Sequence, residues 1–184
     1  MCLLNVPIKY SAKFISLLLW ICLGNHHISL AQKNTIEWIT FEQLKVVQAK
    51  TPKKVIVEVY AKDCEWCQKF EKEVFNNQMI IDYINQNYYS IKADAFDKNS
   101  IRFNDKELVS TNGFHPITTI FQKGQSPLSF PTLLFFDEKL TILNFIKGYN
   151  SAKNIDLAIN YFGGNHYKTQ NWNEFSKTFQ GQIK

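Results

Sequence analysis

Residues 55–67 read Val55-Ile56-Val57-Glu58-Val59-Tyr60-Ala61-Lys62-Asp63-Cys64-Glu65-Trp66-Cys67, and this stretch decides the fold. Its first six residues are β-branched or aromatic apart from Glu58, which predicts a buried strand with one acid inside it. Ala61 to Asp63 is a short connector. From Cys64 to Phe75 the residues favour a helix, with Phe70, Val74 and Phe75 as its apolar face, and Asn76 and Asn77 break it. A Cys-x-x-Cys pair therefore falls at a strand-to-helix junction. The first turn of a helix presents unpaired N–H groups and a partial positive charge. These stabilise a thiolate at Cys64, and the thiolate is the attacking species in thiol–disulfide exchange. Cys67, one turn on, is placed to resolve a mixed disulfide. Other uses of the pair fit less well. Zinc takes about four ligands, a second Cys pair is absent, and His115 and His166 lack finger-like spacing. A c-type haem needs His directly after the second Cys, where Gln68 stands. A purely structural disulfide here closes too small a loop to stabilise much.

Outward from this stretch the pattern alternates. Thr40, with Gln43 in capping-box position, opens an amphipathic helix from Phe41 to Ala49 that Pro52 ends. Met79 to Tyr88 carries Ile80, Ile81 and Ile84 at helical spacing, and Tyr89 to Ala93 reads as a second strand ending at Asp94. Phe96 to Asn112 is polar and irregular with room for a hairpin, and Pro116 to Gln122 reads as a short helix ended by Gly124. Leu133 to Phe136 is a strand, Leu140 to Ile146 its hairpin partner, and Ser151 caps a last main helix through Phe162. In the tail, Trp172, Phe175 and Phe179 fit one face of a short helix. The order predicts a mixed α/β layer fold in one domain.

The chain has 184 residues, 45% hydrophobic and 15% aromatic, which excludes disordered and collagen-like classes and suits one packed domain. The net charge of +5 comes without a Lys/Arg run, so nothing argues for a nucleic-acid partner. Lys9 and Lys13 precede an apolar run, Phe14 to Leu23, and Ser29-Leu30-Ala31 offers small residues at a cleavage site. A spanning helix needs ~20 apolar residues, so this run fits a secretory signal, residues 1–31, cut between Ala31 and Gln32. The competing readings are a buried N-terminal helix and a lipid anchor on Cys22, the latter opposed by bulky Trp20 and Ile21. Cleavage leaves a domain of residues 32–184, and Cys2 and Cys22 depart with the signal. Only Cys64 and Cys67 then remain, in a compartment where thiols are normally oxidised. The C-terminus, Gly181-Gln182-Ile183-Lys184, is no retention signal, and no Asn-x-Ser/Thr acceptor occurs. Both tilt the expected location toward a bacterial periplasm rather than an endoplasmic reticulum.

From Val55 to about Phe162 the chain resembles the thioredoxin superfamily. The strand and approach to Cys64, the run Lys69, Glu71, Lys72, Glu73, Val74 and Phe75, which resembles that of secreted bacterial thioredoxin-like proteins, the Phe130-Pro131-Thr132 step and the Gly148-Tyr149 step carry the resemblance. It implies an α/β thioredoxin fold, a mixed central sheet flanked by helices, with residues 96–130 as an insertion before the cis-proline loop. That insertion is either a determinant of partner choice or a tolerated surface loop. Cys64 would be the nucleophile and Cys67 the resolving thiol. Pro131 would be cis and face the pair, with Trp66, Phe130 and Pro131 forming the substrate-binding surface. Glu58, six residues before Cys64, would be a buried acid assisting proton transfer at Cys67, against the alternative of an acid on an exposed strand face. Lys92 is a candidate neighbour for it. His115, inside the insertion, reads as structural.

The implied function is an exported thiol–disulfide oxidoreductase, most simply one that reduces disulfides in other exported proteins. Asp63 stands where thioredoxins usually have Trp, and Glu65 adds a second acid. Nearby negative charge disfavours a thiolate, and a less stable thiolate belongs to a reducing couple. A disulfide oxidase or isomerase and a non-catalytic binding module remain the alternatives. No nucleotide-binding Gly motif is present, so no cofactor is expected and electrons would come from a membrane or soluble thiol donor. The sequence leaves the oligomeric state open.

Overall fold

The computed structural model describes residues 34–111, 113–121, 128–181 and 183. The chain divides into two compact units, Met1–Gln32 and Lys33–Lys184, and every described residue belongs to the second. The expected signal segment, 1–31, lies outside the described residues, as do Asn112, Gln122 and Gly124.

The elements run α1 (Phe41–Lys50), β1 (Lys54–Tyr60), α2 (Glu65–Phe70), α3 (Gln78–Asn87), β2 (Tyr88–Asp94), β3 (Ile101–Phe103), β4 (Lys106–Leu108), α4 (Thr118–Phe121), β5 (Thr132–Phe136), β6 (Ile142–Lys147), α5 (Ala152–Gly163) and α6 (Trp172–Thr178). Thr40 opens α1 with the full capping box, its side chain accepting the Gln43 N–H while Gln43 returns the bond to the Thr40 N–H at 2.8 Å. The predicted helix from Cys64 to Phe75 is one α-helical stretch that widens into a π turn, Glu71–Phe75, where the Asn76 N–H reaches back to the Glu71 carbonyl at 3.1 Å. Asn77 does not simply break the chain: its side chain caps the first turn of α3.

The central sheet has the order β2-β1-β5-β6. β1 is parallel to β2 and antiparallel to β5, and β5 is antiparallel to β6. β1 is therefore interior and buried on both faces, which explains its nearly unbroken apolar run. Its alternation divides the core. Ile56 points to the face covered by Phe70, Val74, Ile80, Ile84, Ile155 and Ile159. Val55, Val57 and Val59 point to the opposite face.

On that opposite face lies the segment 96–112, read as polar and irregular with room for a hairpin. The segment contains the β3–β4 hairpin, joined through Asn104 and Asp105, both at positive φ. Ile101, Phe103, Ile117 and Phe121 pack with Phe41, Val57 and Phe136 as one buried cluster. The insertion thus roofs one side of the sheet together with α1. Inside it His115 is buried, stacks 5.6 Å from Phe41, and accepts the Ile117 N–H on Nδ1 at 3.1 Å. Burial lowers its pKa against the opposing pull of Asp97 and Asp94, so the ring stays neutral and structural.

Candidate active site

The carboxyl end of β1 delivers the chain to α2 through Ala61 to Asp63, and Cys64 is the N-cap of that helix. Its Sγ accepts the Cys67 N–H at 3.1 Å, one of the donors a helix start leaves unpaired. Cys64 and Cys67 form a disulfide with their Cα atoms 5.2 Å apart. The two sulfurs differ in access. Cys64 is half-buried, whereas Cys67 is 5% exposed. Cys64 is therefore the more accessible of the two sulfurs.

The Phe130–Pro131 peptide bond is cis, and the Phe130 carbonyl oxygen lies 3.7 Å from the Cys64 Sγ. The Gly148 N–H donates to the Pro131 carbonyl at 2.8 Å, with Gly148 at φ +73, a conformation that glycine adopts at little cost. This tie between β6 and the proline loop sets the wall opposite the cysteines. On one side of the pair Trp66 is 56% exposed, its ring 5.6 Å from that of Tyr149. The Lys69 ammonium stands over both rings, at 5.4 Å and 4.9 Å. Tyr149 donates a short hydrogen bond to Glu73.

Beneath the pair lies Glu58, 1% exposed. It sits on the same face of β1 as Ile56, toward α2. With Cys67, Glu71 and Lys92 it lines a cavity of about 340 Å³. The parallel register places Lys92 of β2 directly beside it, Nζ to Oε2 at 3.5 Å. The stronger bond of that lysine goes elsewhere, to Glu71 Oε2 at 2.5 Å. Among the described residues neither Glu58 oxygen has a hydrogen-bond partner. Burial therefore pushes its pKa up, Lys92 pulls it down, Glu71 pushes it up again, and the result is about 7 against an ordinary 4.5. Lys92 in turn is disfavoured as a cation by burial, but the two carboxylates outweigh that and leave its pKa raised.

Glu58, Cys64, Cys67, Trp66, Phe130 and Pro131 are thus gathered at one end of the sheet. Sequence reasoning missed Glu71, Tyr149 and Phe96. Glu71 stands four residues after Cys67, so helical spacing alone sets it on the Cys67 side of the helix. Phe96 is 57% exposed beside the cleft and packs against Phe114 and Phe130 at ring distances of 5.6 Å and 6.2 Å.

The fold and the cysteine pair are those of a thioredoxin-like protein. The chain belongs to the thioredoxin-like domain family, whose pattern matches residues 40–163. A thioredoxin-fold protein from Helicobacter pylori is similar in structure, with a TM-score of 0.53, 16% identity, and 68% of this chain and 79% of that one covered. A DsbH oxidoreductase is similar with a TM-score of 0.51 and 12% identity, over 79% of this chain and 98% of that one. An uncharacterized protein of Caenorhabditis elegans is 28% identical over an alignment of 120 residues that covers 55% of this chain and 16% of that protein. The chain therefore spans a small part of that relative's length.

Proposed function

We propose that the chain is a thiol–disulfide oxidoreductase working in the reducing direction on disulfides of other exported proteins. The observation that carries this reading is the asymmetric pair: an accessible Cys64 whose sulfur accepts a helix-start N–H, over a shielded Cys67. In the reduced protein the Cys64 thiolate attacks one sulfur of a substrate disulfide. A Cys64–substrate bond forms, the substrate S–S bond breaks, and the other substrate sulfur leaves as a thiolate that takes up a proton. Cys67 then loses its proton and attacks the Cys64 sulfur. The protein disulfide forms and the second substrate sulfur departs as a thiol, so two electrons pass from protein to substrate, with one proton lost by Cys67 and the other taken from solvent.

Glu58 is suited to receive the Cys67 proton. It shares the cavity that reaches Cys67, and a pKa of about 7 lets it exchange protons near neutral pH. Exposed Asp63 and Glu65 set negative charge beside Cys64, which opposes the helix-start stabilisation and supports a reducing couple. A dithiol donor, membrane-bound or soluble, would restore the reduced pair. Export rests on the pattern of residues 1–31, and release of a chain beginning at Gln32 into the periplasm would test it.

The enzymatic test is insulin reduction with a chemical dithiol as electron source. Wild type turns over, Cys64→Ser does not, and Cys67→Ser accumulates mixed disulfides with its substrates. Equal turnover by wild type and Cys64→Ser makes the chain a binding module instead. A reduction potential well above the roughly −230 to −200 mV of glutaredoxins reverses the direction.

A further inference from the structure

On the insertion side, Cys64 opens onto a cleft of about 710 Å³, with Asp63, Asp94, Phe96 and Asp97 among its walls. That is the size of clefts that hold ligand groups. Its most prominent apolar feature is Phe96. This ring is exposed, yet it is propped from behind by Phe114 and Phe130, the latter being the residue whose carbonyl faces the Cys64 sulfur. The loop is also held in shape. The Phe96 N–H donates to Asp94 Oδ1 at 3.0 Å, and the Asp97 N–H donates to the Asp94 carbonyl at 3.1 Å. An exposed aromatic ring held in place next to a reactive sulfur is an anchor for a partner's side chain, because little ordering remains to be done on binding.

The charge of the cleft says which partner. Among the described residues three carboxylates line it against one ammonium, Lys62, whose Nζ stands 3.4 Å from Asp94 Oδ2. Beneath the loop His115 is buried and neutral, so it adds no compensating cation. Lys69 and Lys92 belong to the Trp66 side and to the buried Glu58 pocket. The chain as a whole carries +5, so the acidity is local to this wall and opposes the overall bias.

We propose that this cleft docks the polypeptide flank of the substrate disulfide, and that it selects flanks carrying a lysine or arginine beside an apolar side chain that seats on Phe96. The proposal rests on the oxidoreductase reading for its occupant but not for its binding chemistry. Asp63 and Asp97 are exposed and Asp94 partly so, and carboxylates at such a surface act chiefly by steering and by discriminating between partners, so the selection is sensitive to salt. The redox step itself is unchanged: the cleft supplies no electrons and holds the substrate while Cys64 attacks.

The test uses the full oxidised protein and two fluorescent peptides, each with one S-methylated cysteine next to a leucine and flanked by lysines in one and glutamates in the other. At about 0.01 M ionic strength the basic peptide binds about tenfold more tightly, and the difference shrinks to about twofold near 1 M. Asp94→Asn with Asp97→Asn, which keeps the oxygen acceptor that shapes the loop, abolishes the preference. Phe96→Ala weakens both peptides alike. Equal affinities at low salt, a preference for the acidic peptide, or a preference that survives the double substitution overturns the proposal. Reduction of a small aromatic disulfide by the reduced protein is measured alongside. Turnover of that compound without peptide discrimination refutes the docking proposal alone. Peptide discrimination without turnover leaves the docking proposal standing and refutes the oxidoreductase reading.

Discussion

Replacing Glu58 by Gln should stabilise the oxidised protein at alkaline pH and do little at acid pH. In the unfolded chain the carboxyl titrates near 4.5, whereas in the fold it titrates near 7. Between those values the native state holds a proton that the unfolded state has lost, so stability falls as pH rises through this window and levels off above it. Each pKa unit corresponds to about 1.4 kcal/mol, so the ionised acid costs the fold about 3 kcal/mol by pH 8.5. Gln matches the neutral acid in shape and never ionises. Lys92 keeps a partner in the variant, because its 2.5 Å bond is to Glu71. The assay is urea unfolding of wild type and Glu58→Gln from pH 4 to 9, with both proteins oxidised so that Cys67 does not titrate. The two curves should run together near pH 4 and separate by about 3 kcal/mol above pH 8, equivalent to ~2–4 °C of melting temperature per kcal/mol. A difference that stays constant across pH, or a variant less stable than wild type at pH 8.5, refutes the account of Glu58 as a buried acid held largely neutral by desolvation.

Two further predictions use neighbouring features. Lys92→Met removes the cation that lowers the Glu58 pKa while leaving Glu71 in place, so the stability decline should move to higher pH; an unshifted midpoint would show that Lys92 does not act on Glu58. Thr40→Ala deletes the side-chain half of the α1 capping box and should cost about 1 kcal/mol in urea unfolding, with insulin reduction unchanged, because α1 lies on the sheet face opposite Glu58.

The legible parts of the molecule were those written in short-range pattern. The Val55–Tyr60 run, the Cys-x-x-Cys junction, the Thr40 and Ser151 caps and the isoleucine spacing of α3 are each contained within a few residues. The cis peptide at Phe130–Pro131 followed from the family resemblance, since no local pattern specifies it. What escaped depends on alignment across space. Lys92 is a candidate neighbour of Glu58 from the sequence and the strand register places it there, but its closer bond to Glu71 joins residues 21 apart that no local pattern connects. The stretch 96–112 left room for a hairpin, but its two strands could not be placed because three residues are too short to display an alternation. The Asn104-Asp105 pair was its one available signal, two residues suited to the left-handed conformation that tight hairpin turns require. Phe96 could be seen in the sequence but not interpreted, because exposure beside a reactive sulfur is a property of the folded loop.

The double employment of residues 96–121 has a consequence for how this protein can diverge. Their inner side chains close one face of the sheet while Phe96 and Asp97 border the cleft beside Cys64, so shortening the segment would open the interior as well as reshape the cleft. It is a wall of the building rather than an awning. Selection acting on partner choice is therefore channelled into the outward positions, Phe96 and Asp97 foremost, where side chains can change while Ile101, Phe103 and Ile117 stay apolar. Diversity among proteins sharing this architecture should accumulate there as substitutions rather than as deletions.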